Sequence, residues 1–290
     1  MSAGEAAGTL AHRLRALFPE ASGTSLKQWL GGGRVRVNGE IVRDGRAGLR
    51  PKDRVDLGPP RAVFPAALRL VHEDPDLLVI DKPAGLLTIA TERERDRTAY
   101  RLLWDYLASR TRARRLFVVH RLDRETSGLL VFAKTPAIKR ALQAQFEART
   151  VERIYLALVE GLVKDDRGTL VGQLVEGLDL RVRQARPARG KGRAAPVGKE
   201  AVTHYRVVER RRDTTLLELA LGTGRRRQIR VQLAGLGHPI LGDADHGGRR
   251  RGGRLWLHAT RLGFSHPQTR AMMRFESPPP PGLAPFTRGV

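Results

Sequence analysis

The most constraining segment of the sequence is residues 120–135, which reads HRLDRETSGLLVFAKT. Asp123 lies between Arg121 and Arg124, and a Thr-Ser-Gly turn and an apolar run follow it at once. Turn residues before an apolar run predict a tight loop that leads into a buried strand, and neighbouring cations favour an ionised carboxylate. The segment therefore predicts a carboxylate on a loop at the end of a sheet. A purely structural ion pair is the alternative interpretation.

The sequence carries a large excess of positive charge. Lysine and arginine number 53 and acidic residues 30, which gives a formal net charge of +23. Solvation alone does not require such an excess, so it favours a polyanionic partner. Arginine greatly outnumbers lysine, and its guanidinium group makes forked contacts to phosphates and stacks on bases. The composition therefore favours a nucleic-acid-binding protein.

Two features of the sequence exclude other classes of protein. The chain has no cysteine, which excludes disulfides, thiolate catalysis and cysteine-ligated zinc. No apolar stretch approaches the roughly 20 residues of a membrane span, and residues 1–10 lack the apolar core of a secretory signal. We therefore expect a soluble, cytoplasmic protein without a membrane partner.

A proline-rich break at residues 58–65 divides the chain into two parts. Prolines at this density disfavour helices and are typical of a linker. We therefore expect a small N-terminal domain at residues 8–58, a linker at 59–67 and a larger domain at 68–290.

The N-terminal part has the pattern of a small α+β domain. Leu10, Leu14 and Leu17 mark one apolar face of a helix, and Ser25 is placed to cap a second short helix. Residues 34–40 alternate between apolar and polar side chains and turn at Asn-Gly, which indicates a β-hairpin.

The same part resembles a known RNA-binding module. Residues 33–39 (GRVRVNG) and 49–55 (LRPKDRV) are similar to the S-four-type domain of a small-subunit ribosomal protein and of bacterial tyrosyl-tRNA synthetases. The resemblance implies that Arg34 and Arg36 contact RNA. A small basic hairpin domain without a special purpose is the alternative.

The larger part alternates between predicted strands and helices. Strands are predicted at residues 68–72, 77–80, 128–133, 154–159, 203–209 and 215–221. Helices are predicted at residues 100–109 and 136–148, and another is predicted to follow the three arginines at 225–227. Residues 186–198 are too poor in apolar side chains to pack, so we expect a mobile basic loop there.

Three motifs in the larger part resemble those of the RluA-type pseudouridine synthases. They are the run at residues 120–135, Arg-Ile-Tyr-Leu-Ala at 153–157 and Thr-Gly-Arg-Arg-Arg-Gln-Ile-Arg-Val at 223–231. Further similar segments follow in the right order, so that the resemblance spans about residues 68–276; they are residues 81–85, 237–243 and 257–259. The resemblance implies an α+β fold with a mixed, largely antiparallel sheet, flanking helices and a central cleft.

The resemblance implies a role for three residues. Asp123 corresponds to the aspartate that attacks a uridine flipped out of its RNA, much as glycosidases use a carboxylate at an anomeric carbon. Whether it attacks the sugar or first promotes a glycal intermediate is not visible in the sequence. Tyr155 corresponds to the tyrosine that packs on the flipped base and offers its hydroxyl as a proton acceptor. Arg230 corresponds to the arginine that pairs with the aspartate.

Further residues are implied to contact the RNA. Arg121 corresponds to the arginine that enters the base stack in place of the flipped uridine, and Ile229 is expected to lie beneath the uracil ring. Lys82 is either a phosphate contact or an ordinary surface lysine. Breaking and remaking a glycosidic bond needs no redox change and no group donor, so we expect neither a cofactor nor a metal.

The sequence departs from the usual third motif of this family. Arg226, Arg227 and Gln232 stand where the family more often has Thr, His and His. These departures leave Asp123 and Arg230 in place, so they concern the RNA contacts rather than the central chemistry.

Other acidic and histidine residues are expected to be structural. Asp243, Asp245 and His246 could suggest a metal site, but a glycine-rich turn with these residues is more often a solvated loop, which is the interpretation we prefer. His120 and His258 are expected to be packed or hydrogen-bonded rather than to act as bases.

The sequence therefore predicts a monomeric, two-domain RNA pseudouridine synthase. Large-subunit ribosomal RNA, free or in a precursor ribosomal particle, is the expected substrate because the N-terminal module is typical of the ribosomal branch; transfer RNA is the alternative. A non-catalytic RNA-binding or ribosome-assembly factor would gain nothing from a carboxylate that faces phosphates. An RNA glycosidase or nuclease would need an activated water, and no His/acid pair in the sequence presents one.

Overall fold

The computed structural model of the chain describes residues 8–285 except 32, 59–63, 93, 109–114, 178–181, 185–197 and 250–252. The chain forms two compact units, Met1–Phe64 with Leu103–Arg114 and Pro65–Leu102 with Arg115–Val290. The basic loop predicted at 186–198 lies outside the described residues except for its last position. Within the described ranges, no helix is long and apolar enough to cross a membrane.

The N-terminal unit combines two short helices with a small sheet. Its elements are α1 (Leu10–Leu17), α2 (Gly23–Gly31), β1 (Val35–Val37), β2 (Glu40–Ile41) and β3 (Val55–Leu57). The strands form an antiparallel sheet in the order β2-β1-β3. Side chains from both helices and from β1 share one apolar core, which includes Leu10, Leu14, Leu26, Leu30, Val35 and Leu49. The predicted third member of the α1 face, Leu17, is 48% exposed, so the buried face ends one turn earlier than predicted.

Local geometry confirms the predicted hairpin and corrects the start of α2. Asn38 and Gly39 both have positive φ angles, 54° and 89°, as the two central residues of a type I′ hairpin turn require. In α2 the Oγ of Ser22 accepts a hydrogen bond from the Ser25 amide at 3.1 Å. The prediction that Ser25 caps this helix is therefore wrong, because Ser25 lies inside its first turn.

The second unit is built on one large mixed sheet. Its first strands are β4 (Arg69–Glu73), β5 (Leu77–Lys82), β6 (Phe117–Val118), β7 (Ser127–Ala133) and β8 (Glu152–Glu160). The others are β9 (Arg167–Glu176), β10 (Val182–Gln184), β11 (Lys199–Arg210), β12 (Thr214–Leu221), β13 (Leu257–Ser265) and β14 (Met272–Glu276). The helices are α3 (Ala99–Ala108), whose residues up to Leu102 belong to this unit, α4 (Pro136–Glu147) and α5 (Gln228–Gly235). The sheet order is β10-β9-β11-β12-β8-β13-β7-β5-β4, with β14 on β13 and β6 on β7. The predicted α+β class with a largely antiparallel sheet is confirmed.

One parallel contact at the middle of the sheet brings the three motifs together. Strands β7 and β13 are the parallel neighbours, and Gly128 of β7 lies beside Ala259 of β13. Gly128 has φ +115°, and a Cβ atom there would lie 2.3 Å from the Ala259 carbonyl oxygen, so this crossing requires glycine. On the other side, Ala259 pairs with Tyr155 of β8, and Tyr155 pairs with Leu219 of β12. The ends of β7, β8 and β12 therefore meet in one place.

Candidate active site

The loop before β7 presents Asp123 at the centre of the sheet. Thr88 holds this loop, because its Oγ1 donates to the Leu122 carbonyl at 2.8 Å and accepts from the Leu122 amide at 3.2 Å. The Thr126 amide donates to the Asp123 carbonyl at 3.2 Å and closes the turn. The Asp123 side chain is 21% exposed. The backbone around Asp123 is therefore fixed by hydrogen bonds, while its carboxylate remains accessible to solvent.

A cavity of about 330 Å³ opens above this carboxylate. Five residues singled out from the sequence line it, namely Arg121, Asp123, Tyr155, Ile229 and Arg230. Asp123 and Arg121 come from the loop before β7, Tyr155 from β8, and the last two from the first turn of α5. These five residues give the cavity a carboxylate, an aromatic ring, an apolar side chain and two guanidinium groups. Arg34 and Arg36 belong to the N-terminal unit.

Arg230 lies among three carboxylates. Its Nη1 is 3.7 Å from Asp123 Oδ2. Its Nε and Nη2 donate to the two oxygens of Asp243 at 2.7 and 2.6 Å, and Nη2 also donates to Asp245 at 3.1 Å. Burial works to lower the pKa of Arg230, but the hydrogen bonds and charge of Asp243, with Asp123 and Asp245, raise it overall. Arg230 is therefore a permanent cation whose orientation is set mainly by Asp243.

Residues 76–235 match the protein-family model described as RNA pseudouridylate synthase, which covers more than half of the chain. This chain belongs to that family. It is 36% identical to "Ribosomal large subunit pseudouridine synthase D" of Pseudomonas aeruginosa, over 91% of this chain and 86% of the relative. It is 33% identical to the protein of the same name from Vibrio cholerae, over 93% of this chain and 87% of the relative.

Solved structures agree with this assignment. The chain superimposes on "Human RNA Pseudouridylate Synthase Domain Containing 4" with a TM-score of 0.62 and 26% identity, over 74% of this chain and 90% of the human chain. A second human structure, "RNA Pseudouridylate Synthase Domain Containing 1", gives a TM-score of 0.60 at the same identity, over 75% and 86%. The family predicted from the three motifs is confirmed. The protein is an RNA pseudouridine synthase, and its reaction class is isomerisation.

In this pseudouridine synthase the ring of Tyr155 forms one wall of the cavity and is only 8% exposed. Burial raises the pKa of Tyr155 to about 12, while the charge of Arg153 lowers it and that of Asp123 raises it. The phenol is therefore protonated at neutral pH. Of the two roles predicted for Tyr155, packing against a base fits this protonation state, whereas proton acceptance would require the hydroxyl to lose a proton first.

Lys82 is a correction to the sequence analysis. It is completely buried, and its Nζ donates to the carbonyls of Pro83 and Leu86 at 2.8 Å and of Arg124 at 3.2 Å. Burial lowers its pKa to about 7, against the opposing charges of Glu125 and Asp123. Neither a phosphate contact nor a surface lysine describes this residue, because its ammonium group is inaccessible. It ties the loop after β5 to the loop that carries Asp123.

Asp243 is the site residue that the sequence analysis missed. The prediction of a solvated loop is wrong for it, since it is 1% exposed and makes the paired hydrogen bonds to Arg230. His246 Nδ1 lies 3.1 Å from both of its carboxylate oxygens. Burial works to raise the pKa of Asp243, but Arg230 and His246 hold it well below its usual range. The signal in the sequence is the segment at 237–243, which resembles a family signature and ends at Asp243.

Two glutamines fix α5 beneath the cavity. The Gln228 side chain donates to the Val202 carbonyl and Thr203 Oγ1, and its Oε1 accepts from Thr223 Oγ1 at 2.7 Å. Gln232 donates to the carbonyls of Leu170 and Ala201 at 3.0 Å. The residue that departs from the usual motif at position 232 is therefore a buried link from α5 to β9 and β11.

The histidines that the sequence analysis treated as structural are packed. His120 Nε2 accepts from the Val131 amide at 3.2 Å, and burial lowers its pKa to about 3. His258 lies between two hydroxyls, with Nδ1 2.9 Å from Ser127 Oγ and Nε2 3.1 Å from Ser277 Oγ. In the part of the chain that the structure describes, no group of three His, Cys, Asp or Glu side chains is placed to hold a metal ion.

Proposed function

We propose that this protein converts specific uridines of large-subunit ribosomal RNA into pseudouridine, with Asp123 as the nucleophile. The observation that carries the proposal is the cavity in which the Asp123 carboxylate faces Tyr155, Ile229 and Arg230. Ribosomal RNA is favoured because the relatives quoted above are named for the large ribosomal subunit. Transfer RNA is the second possible substrate. The protein would act as a cytoplasmic monomer.

Asp123 supplies the group that meets the sugar. A carboxylate at the anomeric carbon either bonds to it or stabilises the positive charge that develops as the glycosidic bond breaks. Arg230 Nη1, at 3.7 Å, holds the carboxylate from one side. Because Asp243 occupies the other edge of the same guanidinium, Arg230 cannot turn away from Asp123 without breaking two short hydrogen bonds.

The walls of the cavity keep the detached uracil beside the sugar. Tyr155 offers a flat ring and Ile229 an apolar side chain, and both are at least nine-tenths buried. A base held between such surfaces can rotate and present carbon 5 while water is excluded. The proton that leaves carbon 5 must pass to an acceptor, and the high pKa of Tyr155 disfavours its hydroxyl in that role.

Arg121 and the N-terminal unit would bind the rest of the RNA. Arg121 is exposed at the mouth of the cavity and makes no ion pair with any described carboxylate. A side chain so placed can fill the gap that the flipped uridine leaves, which offsets part of the unstacking cost of a few kcal/mol. Arg34 and Arg36 lie on or beside β1, where Arg34 stacks 5.4 Å from the Trp29 ring centroid.

The test is tritium release from ribosomal RNA that carries tritium at carbon 5 of uridine. We expect release by the wild type and a loss of roughly a thousandfold or more for Asp123→Asn, because the nucleophile is removed. Asp166→Asn is the matched control, since Asp166 pairs with Arg210 on the surface and is 79% exposed. Mapping of the product by sequencing identifies the uridine.

Three outcomes would contradict the proposal. Normal turnover by Asp123→Asn would exclude Asp123 as the nucleophile. Tritium release from transfer RNA, but not from ribosomal RNA or precursor particles, would make transfer RNA the substrate. If the wild type binds RNA but releases no tritium from ribosomal RNA, precursor particles or transfer RNA, the non-catalytic RNA-binding factor is favoured.

A further inference from the structure

Arg153 is a buried cation that the proposed chemistry does not use. It precedes Tyr155 by two positions on β8, and it is 9% exposed. Its Nη2 donates to the Leu221 carbonyl at 3.2 Å, while its buried Nε has no hydrogen-bond partner. No carboxylate among the described residues forms an ion pair with it. A guanidinium group carries five N–H donors, so most of its capacity is unused.

Burying Arg153 in this way destabilises the folded protein when no anion is bound. A buried charge without a counter-ion loses hydration that one carbonyl hydrogen bond replaces only in part, and burial lowers the pKa of Arg153. Its guanidinium carbon lies 5.5 Å from the Phe146 ring centroid, which offsets only part of that loss. Gly224 makes the space, since a Cβ atom there would lie 2.6 Å from Arg153 Nη1. The fold thus makes room for the Arg153 guanidinium, and none of the described residues places a carboxylate against it.

A second cavity, of about 510 Å³, lies at this guanidinium. Arg153 and Phe146 line it, and it shares Arg121, Tyr155 and Arg225 with the cavity that holds Asp123. The two cavities are therefore neighbours that meet at the side chains of Arg121 and Tyr155. Because the cavities share lining residues, an RNA strand with one nucleotide in the first cavity can place an adjacent nucleotide at the second.

The second cavity is positively charged. Arg121, Arg149, Arg153 and Arg225 line it, against the single carboxylate of Glu147. Arg149 is already compensated, because its Nη2 lies 3.1 Å from Glu200 Oε2. His120 also lines the cavity but is neutral, since burial and the charge of Arg153 lower its pKa to about 3. Three uncompensated guanidinium groups against one carboxylate favour an anion with oxygen acceptors.

We propose that the second cavity binds the backbone phosphate next to the target uridine, with Arg153 as its buried partner. The phosphate is the counter-ion for Arg153, and its oxygens accept hydrogen bonds from the guanidinium donors that have no partner among the described residues. Binding there would fix the strand beside Asp123 and so set which nucleotide enters the first cavity. This inference rests on the proposed function, because it assumes that an RNA strand occupies the first cavity.

The test is a double-mutant cycle in which one RNA phosphate and the Arg153 side chain are each neutralised alone and then together. The substrate is the shortest ribosomal RNA fragment that the wild type modifies as efficiently as the full-length RNA, with a neutral methylphosphonate at one linkage at a time. For the wild type we expect KM to rise roughly tenfold to a hundredfold at one linkage beside the target uridine, as loss of a charged hydrogen bond implies. Arg153→Gln should show a raised KM on the natural fragment and no further rise at that linkage.

Two further variants make the result specific. Arg153→Lys keeps the charge and should keep the response to the neutral linkage. Arg206→Gln removes an arginine that pairs with Glu218 and lines neither cavity, so it should behave as the wild type. The dependence of log KM on log salt concentration should fall by about 0.7 for Arg153→Gln, the contribution of one single-strand phosphate.

The outcomes separate this inference from the proposed function. If the wild type forms no pseudouridine in any RNA, the proposed function fails. If the wild type is active but no neutral linkage beside the target raises KM, or Arg153→Gln responds to it as the wild type does, the phosphate site is excluded. Should Arg153→Gln not fold, the linkage scan with the wild type still excludes the phosphate site if no neutral linkage beside the target raises KM.

Discussion

Arg230 forms ion pairs with all three of the carboxylates around it at the site. It makes its short hydrogen bonds to Asp243, while Asp123 stands at 3.7 Å. We predict that Asp243→Asn lowers turnover roughly tenfold to a hundredfold, because Arg230 loses its charged support and shifts relative to Asp123. Asp243→Asn should also lower the free energy of unfolding by about 1–3 kcal/mol. Tritium release and urea unfolding measure the two effects.

The pH dependence of this stabilisation has a definite sign. The pKa of Asp243 in the folded protein is lowered from its ordinary 3.8. Its contribution to stability is therefore fully present above about pH 4 and declines as the pH falls further. The difference in unfolding free energy between the wild type and Asp243→Asn should shrink below that pH. The exposed Asp166→Asn variant should change neither turnover nor the free energy of unfolding. Equal changes in the two variants would contradict the role given to Asp243.

At the scale of elements, the crossing of β7 and β13 determines where the Asp123 loop lies. Gly128 touches the Ala259 backbone at this crossing and has φ +115°. We predict that Gly128→Ala destabilises the protein by about 2–4 kcal/mol, because it adds both backbone strain and a clash with main-chain atoms. Turnover per folded molecule should also fall, since Asp123 lies only five residues before Gly128.

Gly237→Ala is the matched control for this prediction. Gly237 also has a positive φ angle, +88°, but no atom lies within 4 Å of the position that its Cβ would take. Its substitution should cost only about 1–2 kcal/mol, the strain of a left-handed backbone alone. Thermal unfolding compares the two variants. Equal losses would mean that the contact with Ala259 contributes nothing beyond the backbone angle.

At the scale of the whole molecule, local pattern predicted most elements and the family motifs predicted the cavity. Alternating and apolar runs place strands and helices because their period depends only on near neighbours. The pairing of Arg230 with Asp243 was missed, since nothing local distinguishes a buried carboxylate from a solvated one. Lys82, expected to be a phosphate contact or a surface lysine, was missed for the same reason, because its burial depends on carbonyls from two separate loops. Which strands pair is likewise decided by contacts far apart in sequence.

The N-terminal unit provides the last prediction, which concerns how the molecule divides binding from chemistry. If Arg34 and Arg36 contact ribosomal RNA phosphates, Arg34→Gln and Arg36→Gln should each raise KM and lower the slope of log KM against log salt by about 0.7. The turnover number should not change, because neither residue lines the cavity of Asp123. Arg46→Gln is the control, since this side chain is 92% exposed and compensated by Asp44. A short RNA fragment that reaches only the second unit should be insensitive to all three substitutions. If Arg34→Gln and Arg36→Gln leave KM for the long RNA unchanged, the N-terminal arginines do not bind RNA.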